Sequence, residues 1–179
     1  MQATEVSLVA GVEDLPAPSD AARQFIDAWK AARQGRLIPR KQDFDPLTVF
    51  PLLPNLWIYH YDRKEDLFRC RLAGENINKA WGRSIAGKLS QDIFGARDNA
   101  AVVAIWKKIL DVPLIHFAKL ERLSGNRLYV AERTVTPLAD ATGRGCYVLG
   151  LSLYALAGAQ NLEPPKIPAN AYHILCEDL

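Results

Sequence analysis

Apolar residues first recur at helical spacing near the N-terminus. In SDAARQFIDAWKAARQG, Ala22, Phe25, Ile26, Trp29 and Ala32 fall three or four residues apart and share one helix face. Ser19 stands where its hydroxyl accepts from the free N–H groups of a first turn, and Gly35 is a natural stop. The pattern predicts a helix over 19–34 with one apolar stripe. That stripe has two open destinations, its own sheet or a second subunit. Asp45 followed by Pro46 starts a short helix, which Pro51 and Pro54 end. The period then changes. Residues 55–62, NLWIYHYD, are aromatic and β-prone. RKED reads as a turn. LFRCRLAG alternates, with Phe68, Cys70 and Leu72 expected on one face and Arg69 and Arg71 on the other. These two runs make a hairpin.

The middle of the chain, 75–112, reads as helical. ENINKAW is short and is closed by Gly82, GRSIAGKLSQDIFG is loop-like, and RDNAAVVAIWKKILDV is a longer amphipathic helix that buries Val102, Val103, Ile105, Trp106, Ile109 and Leu110. Three more strands are expected at 114–122, 128–138 and 146–154, with turns at SGN and ATGRG. The last is apolar on both faces, as a central strand is. This order implies an α+β domain, a five-stranded antiparallel sheet with a helical insert between strands two and three and an N-terminal capping helix. Residues 1–18 read as a flexible lead-in, 19–156 as the domain, and 157–179 as a proline-rich, extended C-terminal tail.

Composition narrows the function. Of the 179 residues, 49% are hydrophobic, enough for a sizeable core. The 22 Lys and Arg against 20 Asp and Glu give a net charge of +2, so no nucleic-acid or membrane partner is expected. Cys70, Cys146 and Cys176 are scattered and form neither a disulfide framework nor a CxxC pair. The N-terminus lacks the basic n-region of a signal peptide, and no apolar run reaches membrane-spanning length. A cytoplasmic location follows by exclusion. There is no GxSxG elbow, P-loop or GxGxxG after a strand, and Ser152 has no evident base. His60, His116 and His173 show no metal-ligand spacing. Glu65 and Asp66 sit in a turn and are most simply solubilising. The chain is not expected to be an enzyme.

Three stretches carry a family likeness. RLAGENINKAWGRSIAGKLSQDIF (71–94) resembles the element in which the second strand of a PAS domain enters its short helices. WKAARQGRLIPRKQDFDP (29–46), with FRCRLAG and GRSIAGK (68–88), is similar to the short stand-alone PAS-like proteins of alphaproteobacteria. The likeness covers residues 20–155. It implies a bacterial sensory or regulatory module that binds a small molecule between sheet and helices, a protein signalling partner through the sheet, or both. The alternative is a structural adaptor or dimerisation domain whose core is filled by its own side chains. Flavin photochemistry of the LOV class needs a cysteine in the insert, and haem sensing a histidine on the long helix. This insert has neither, so no cofactor is expected. The candidate ligand-binding residues are Cys70, Leu72, Asn76, Trp81, Trp106 and His116. Four of them have a plainer role open to them: core packing for Trp81 and Trp106, a satisfied core histidine for His116, a local cap for Asn76. Arg71 matches the family pattern and has Asp45 or Glu75 as possible ion-pair partners. A homodimer is expected, to which the 19–34 helix contributes.

Overall fold

Ser19 starts α1 (Asp20–Ala32) as its sequence suggests, accepting the Ala22 N–H on its hydroxyl at 3.1 Å. The computed structural model describes residues 5–124, 127–156 and 170–179. The strands are β1 (Glu5–Leu8), β2 (Leu56–Asp62), β3 (Leu67–Ala73), β4 (Leu114–Ser124), β5 (Arg127–Ala139), β6 (Gly145–Leu156) and β7 (Asn170–Leu175). Between β3 and β4 lie α2 (Glu75–Ala80) and α3 (Ser90–Asp111). A 3-10 segment, Pro46–Asn55, leads into β2, and the Asp45 carboxylate caps it by accepting the Leu47 N–H.

The sheet corrects the expected five-stranded antiparallel count. It has seven strands in the order β1-β7-β4-β5-β6-β2-β3, and it is mixed, because β1 and β7 run parallel. The five expected strands are β2 to β6, each antiparallel to its neighbours, with the helical insert where the pattern placed it. β1 is four residues long and exposed throughout, so it shows no alternation to read. β7 follows a proline-rich run and completes the sheet by pairing with β4. Residues 157–169 of the expected tail, and Gly125 and Asn126 of the SGN turn, lie outside the described residues.

Two further details differ from the sequence reading. Helix α3 begins at Ser90, inside the stretch read as a loop, and breaks at Gly95, whose φ of +75° suits glycine. A β-bulge also separates Ile58 from Tyr59. Ile58 pairs with Leu72 and Tyr59 with Cys70, leaving Arg71 as the extra residue. The bulge turns Leu72 to the face opposite Phe68 and Cys70.

Alternation along the strands divides the interior into two cores. On one face, Phe25, Ile26 and Trp29 of α1 pack with Ile115, Phe117, Leu138, Leu149 and Ile174. Phe25, Ile26 and Trp29 are fully buried within their own subunit, and the Trp29 indole donates to the Pro137 carbonyl at 2.8 Å. The stripe therefore covers its own sheet and is not left for a second chain, which corrects the helix-mediated dimer contact. Burying each of these three side chains stabilises by about 1.5–3 kcal/mol. The other core lies between the sheet and α2 and α3, and it is built on aromatic rings.

Candidate functional site

On the helix side, the alternating residues Trp57 and Tyr59 of β2 point toward Trp106 and Phe94 of α3. Trp106 is the hub of this cluster. Its ring centroid lies 4.5 Å from Tyr59, 5.1 Å from Phe68, 5.4 Å from Trp57 and 5.7 Å from Phe94. Trp81, just after α2, meets Phe94 edge-on at 5.3 Å. Such offset and edge contacts add to the area these rings bury. The Trp57 indole donates to Ser152 Oγ at 2.9 Å, so its polar edge is satisfied in the interior.

What remains open is a cavity of about 20 Å³, walled by Trp57, Tyr59, Trp81, Phe94 and Trp106 with Ile77 and Ile85, and with Arg133, Ser152 and Tyr154 as its polar groups. That is room for about one water. Burial, with Cys70 close by, raises the Tyr59 hydroxyl well above its ordinary pKa.

The six candidate ligand residues do not converge. Trp81 and Trp106 stand in the cavity wall. Cys70 is buried behind it, beside Tyr59, and burial pushes its thiol up to about 11. His116 lies outside the wall, with its Nδ1 3.0 Å from Nε2 of His173. Both imidazoles are buried. Burial lowers His116 to about 3, helped by His173, Arg133 and Lys108, and lowers His173 to about 4, helped by Lys108. The pair is neutral and bonded to itself. Asn76 is on the surface, donating to Asn55 at 3.1 Å. Leu72 faces the other side of the sheet. Arg71 forms no ion pair among the described residues: Glu75 is taken by Lys79 at 2.8 Å, and Asp45 caps its own 3-10 segment.

Sequence reading missed Trp57, Tyr59, Arg133, Ser152 and Tyr154 as cavity residues. Their signal was strand alternation, which places Trp57 and Tyr59 on one face of β2 and Ser152 and Tyr154 on the same face of β6.

The opposite face holds a larger pocket, of about 180 Å³, between the 3-10 segment and strands β2, β3, β5 and β6. Its walls are almost wholly apolar. The segment that forms one wall also presents Leu47 and Phe50 to solvent, 68% and 64% exposed, and Leu72 is 46% exposed. Among the described residues no three His, Cys, Asp or Glu side chains are grouped to hold a metal ion, and no helix is long and apolar enough to cross a membrane.

Residues 18–153 match the sequence model of the PAS domain family. No curated protein matches the chain. Among solved structures, the light-state dimer of the fungal blue-light photoreceptor Vivid is 16% identical, with 80% of this chain and 99% of that one aligned at a TM-score of 0.41. A variant of Vivid is 15% identical over 79% and 97% of the two chains, at 0.43. A Rhodobacter sphaeroides LOV protein is 14% identical over 74% of this chain and 66% of its own, at 0.40. The family assignment rests on the sequence match.

Proposed function

The chain belongs to the PAS domain family, and we propose that it is a bacterial regulatory module that signals by protein contact through the outer face of its sheet, as a homodimer. The functional unit in this reading is residues 19–156. The carrying observation is the state of the helix-side cavity. Its own aromatic rings reduce it to about 20 Å³, too small for an organic ligand without rearrangement. Recognition then falls to surface, and Leu47, Phe50 and Leu72 supply exposed apolar area of the kind that marks contact sites.

This reading assigns no catalytic step. The three cysteines are free and buried, consistent with the reducing cytoplasm we assign to the protein. A photo-crosslinking side chain placed at position 50, or at position 79 on α2, tests the contact. Crosslinks to a second copy from position 50 and not from 79 are expected. The reverse pattern overturns the reading.

A further inference from the structure

The apolar pocket on the outer face has walls from Phe44, Ile58, Leu72, Leu138 and Leu149, and one charged residue, Lys41, on its rim. Its volume of about 180 Å³ is well above what a single water fills. Water gains little there, because apolar walls offer it no hydrogen-bond partners. A void of this size left empty costs stability in proportion to its volume. Engineered apolar cavities of about 150 Å³ take up benzene. This pocket therefore accommodates about one aromatic ring or a short hydrocarbon chain.

Charge at the rim selects the head group. Lys41 is exposed and forms no ion pair among the described residues. Its ammonium lies 5.8 Å from the centroid of the Tyr147 ring. Arg71, next to the pocket residue Leu72, acts electrostatically on the same Tyr147 and on His60. Asp140 is the opposing charge in range of both rings, and its Oδ1 already accepts from the Thr142 and Arg144 N–H groups and from the Thr142 hydroxyl. Asp62 also acts on His60. Lys41 is thus the one charged residue lining the apolar hole, with Arg71 a second cation near it; Asp45, Asp62 and Asp140, the anions of this end, lie outside the lining and accept backbone N–H groups.

We infer that this pocket binds a small amphipathic anion, with an aromatic or short aliphatic body among Phe44, Ile58, Leu138 and Leu149 and a carboxylate paired with Lys41. The site is on the opposite face of the sheet from the aromatic cavity and shares Leu72, but neither Leu47 nor Phe50, with the contact proposed above.

The probes are 3-phenylpropionate and its neutral analogue 3-phenylpropanol, titrated into methyl-labelled protein and followed by NMR. Both are expected to shift the methyls of Ile58, Leu72, Leu138 and Leu149. The carboxylate is expected to bind more tightly, by up to about fivefold, the range of an exposed ion pair. Lys41→Gln, a change at a solvent-exposed position, is expected to erase that preference and leave the alcohol's affinity unchanged. Leu72→Trp, which fills the pocket mouth from a half-exposed site, is expected to remove both. The inference is overturned if neither probe moves these methyls at millimolar concentration, if the shifts fall on the Trp81 and Trp106 indoles instead, or if Lys41→Gln keeps the full preference for the carboxylate. Phe50 does not line the pocket, so the contact and the pocket can fail separately.

Discussion

Trp57 of β2 lies directly against Gly150, its cross-strand partner on β6. A Cβ added at Gly150 would stand 2.0 Å from the indole Cζ2. The bare glycine is what lets the ring settle across the sheet, reach Ser152 and occupy the space between sheet and helices. Gly150→Ala is expected to destabilise the fold by about 1–3 kcal/mol, the range for overpacking. It should also displace the indole, which a shift in tryptophan emission would report. An unchanged denaturation midpoint would mean that the ring is not held there.

Trp106 closes the cavity from the helix side. Trp106→Ala is expected to cost about 3–5 kcal/mol and to leave a dry hole among Trp57, Tyr59, Phe68 and Phe94. Benzene should then raise the melting temperature of the variant and leave the wild type unmoved. Equal stabilisation of both proteins would show that the wild-type cavity is already open.

The His116–His173 pair makes stability depend on acid. Both native pKa values, about 3 and about 4, lie below the ordinary 6.5. Above pH 6.5 folded and unfolded states both carry neutral imidazoles. As pH falls below that value, the unfolded chain takes up protons that the native pair refuses. Stability present above pH 6.5 is therefore lost progressively toward pH 3, by up to about 1.4 kcal/mol per pH unit for each histidine. Urea unfolding at a series of pH values should show this slope. The double variant His116→Leu with His173→Leu should flatten it, and an equal slope in both proteins would refute the account.

Glu132, buried on β5, accepts both the backbone N–H of Ser19, at 3.1 Å, and its hydroxyl. This clip fixes the start of α1 on the sheet. Glu132→Ala leaves the Ser19 N–H unpartnered and is expected to cost about 1–3 kcal/mol. Faster hydrogen exchange confined to the first turn of α1 is the local signature to look for. Uniform exchange along the chain would place the effect elsewhere.

Period and cap chemistry made much of this fold legible. The α1 stripe, the β2–β3 hairpin and the chain order of strands β2 to β6 are readable, because each carries its own apolar pattern. The seventh strand was not, because NAYHIL pairs with β4 across more than fifty residues and only the assembled sheet gives it a partner. The bulge at Arg71 was also invisible, and one extra residue moved Leu72 from one face to the other. The candidate site scattered for a related reason. Cys70, Asn76 and His116 stand out by chemical type, whereas the cavity wall is set by which strand residues point inward. The partnership of His116 with His173, 57 positions apart, depends on register that no local window contains.

Phe50 is the exposed aromatic ring on which the proposed contact through the outer face turns. Its side chain is 64% exposed, so Phe50→Asp places a charge where the monomer has little packing to lose. Light scattering of the wild-type protein is predicted to give twice the chain mass. Phe50→Asp is predicted to give the mass of a single folded chain, with a melting temperature that no longer rises with protein concentration. A wild-type protein that stays at single-chain mass at every concentration, or a variant that keeps the dimer mass, would contradict the account.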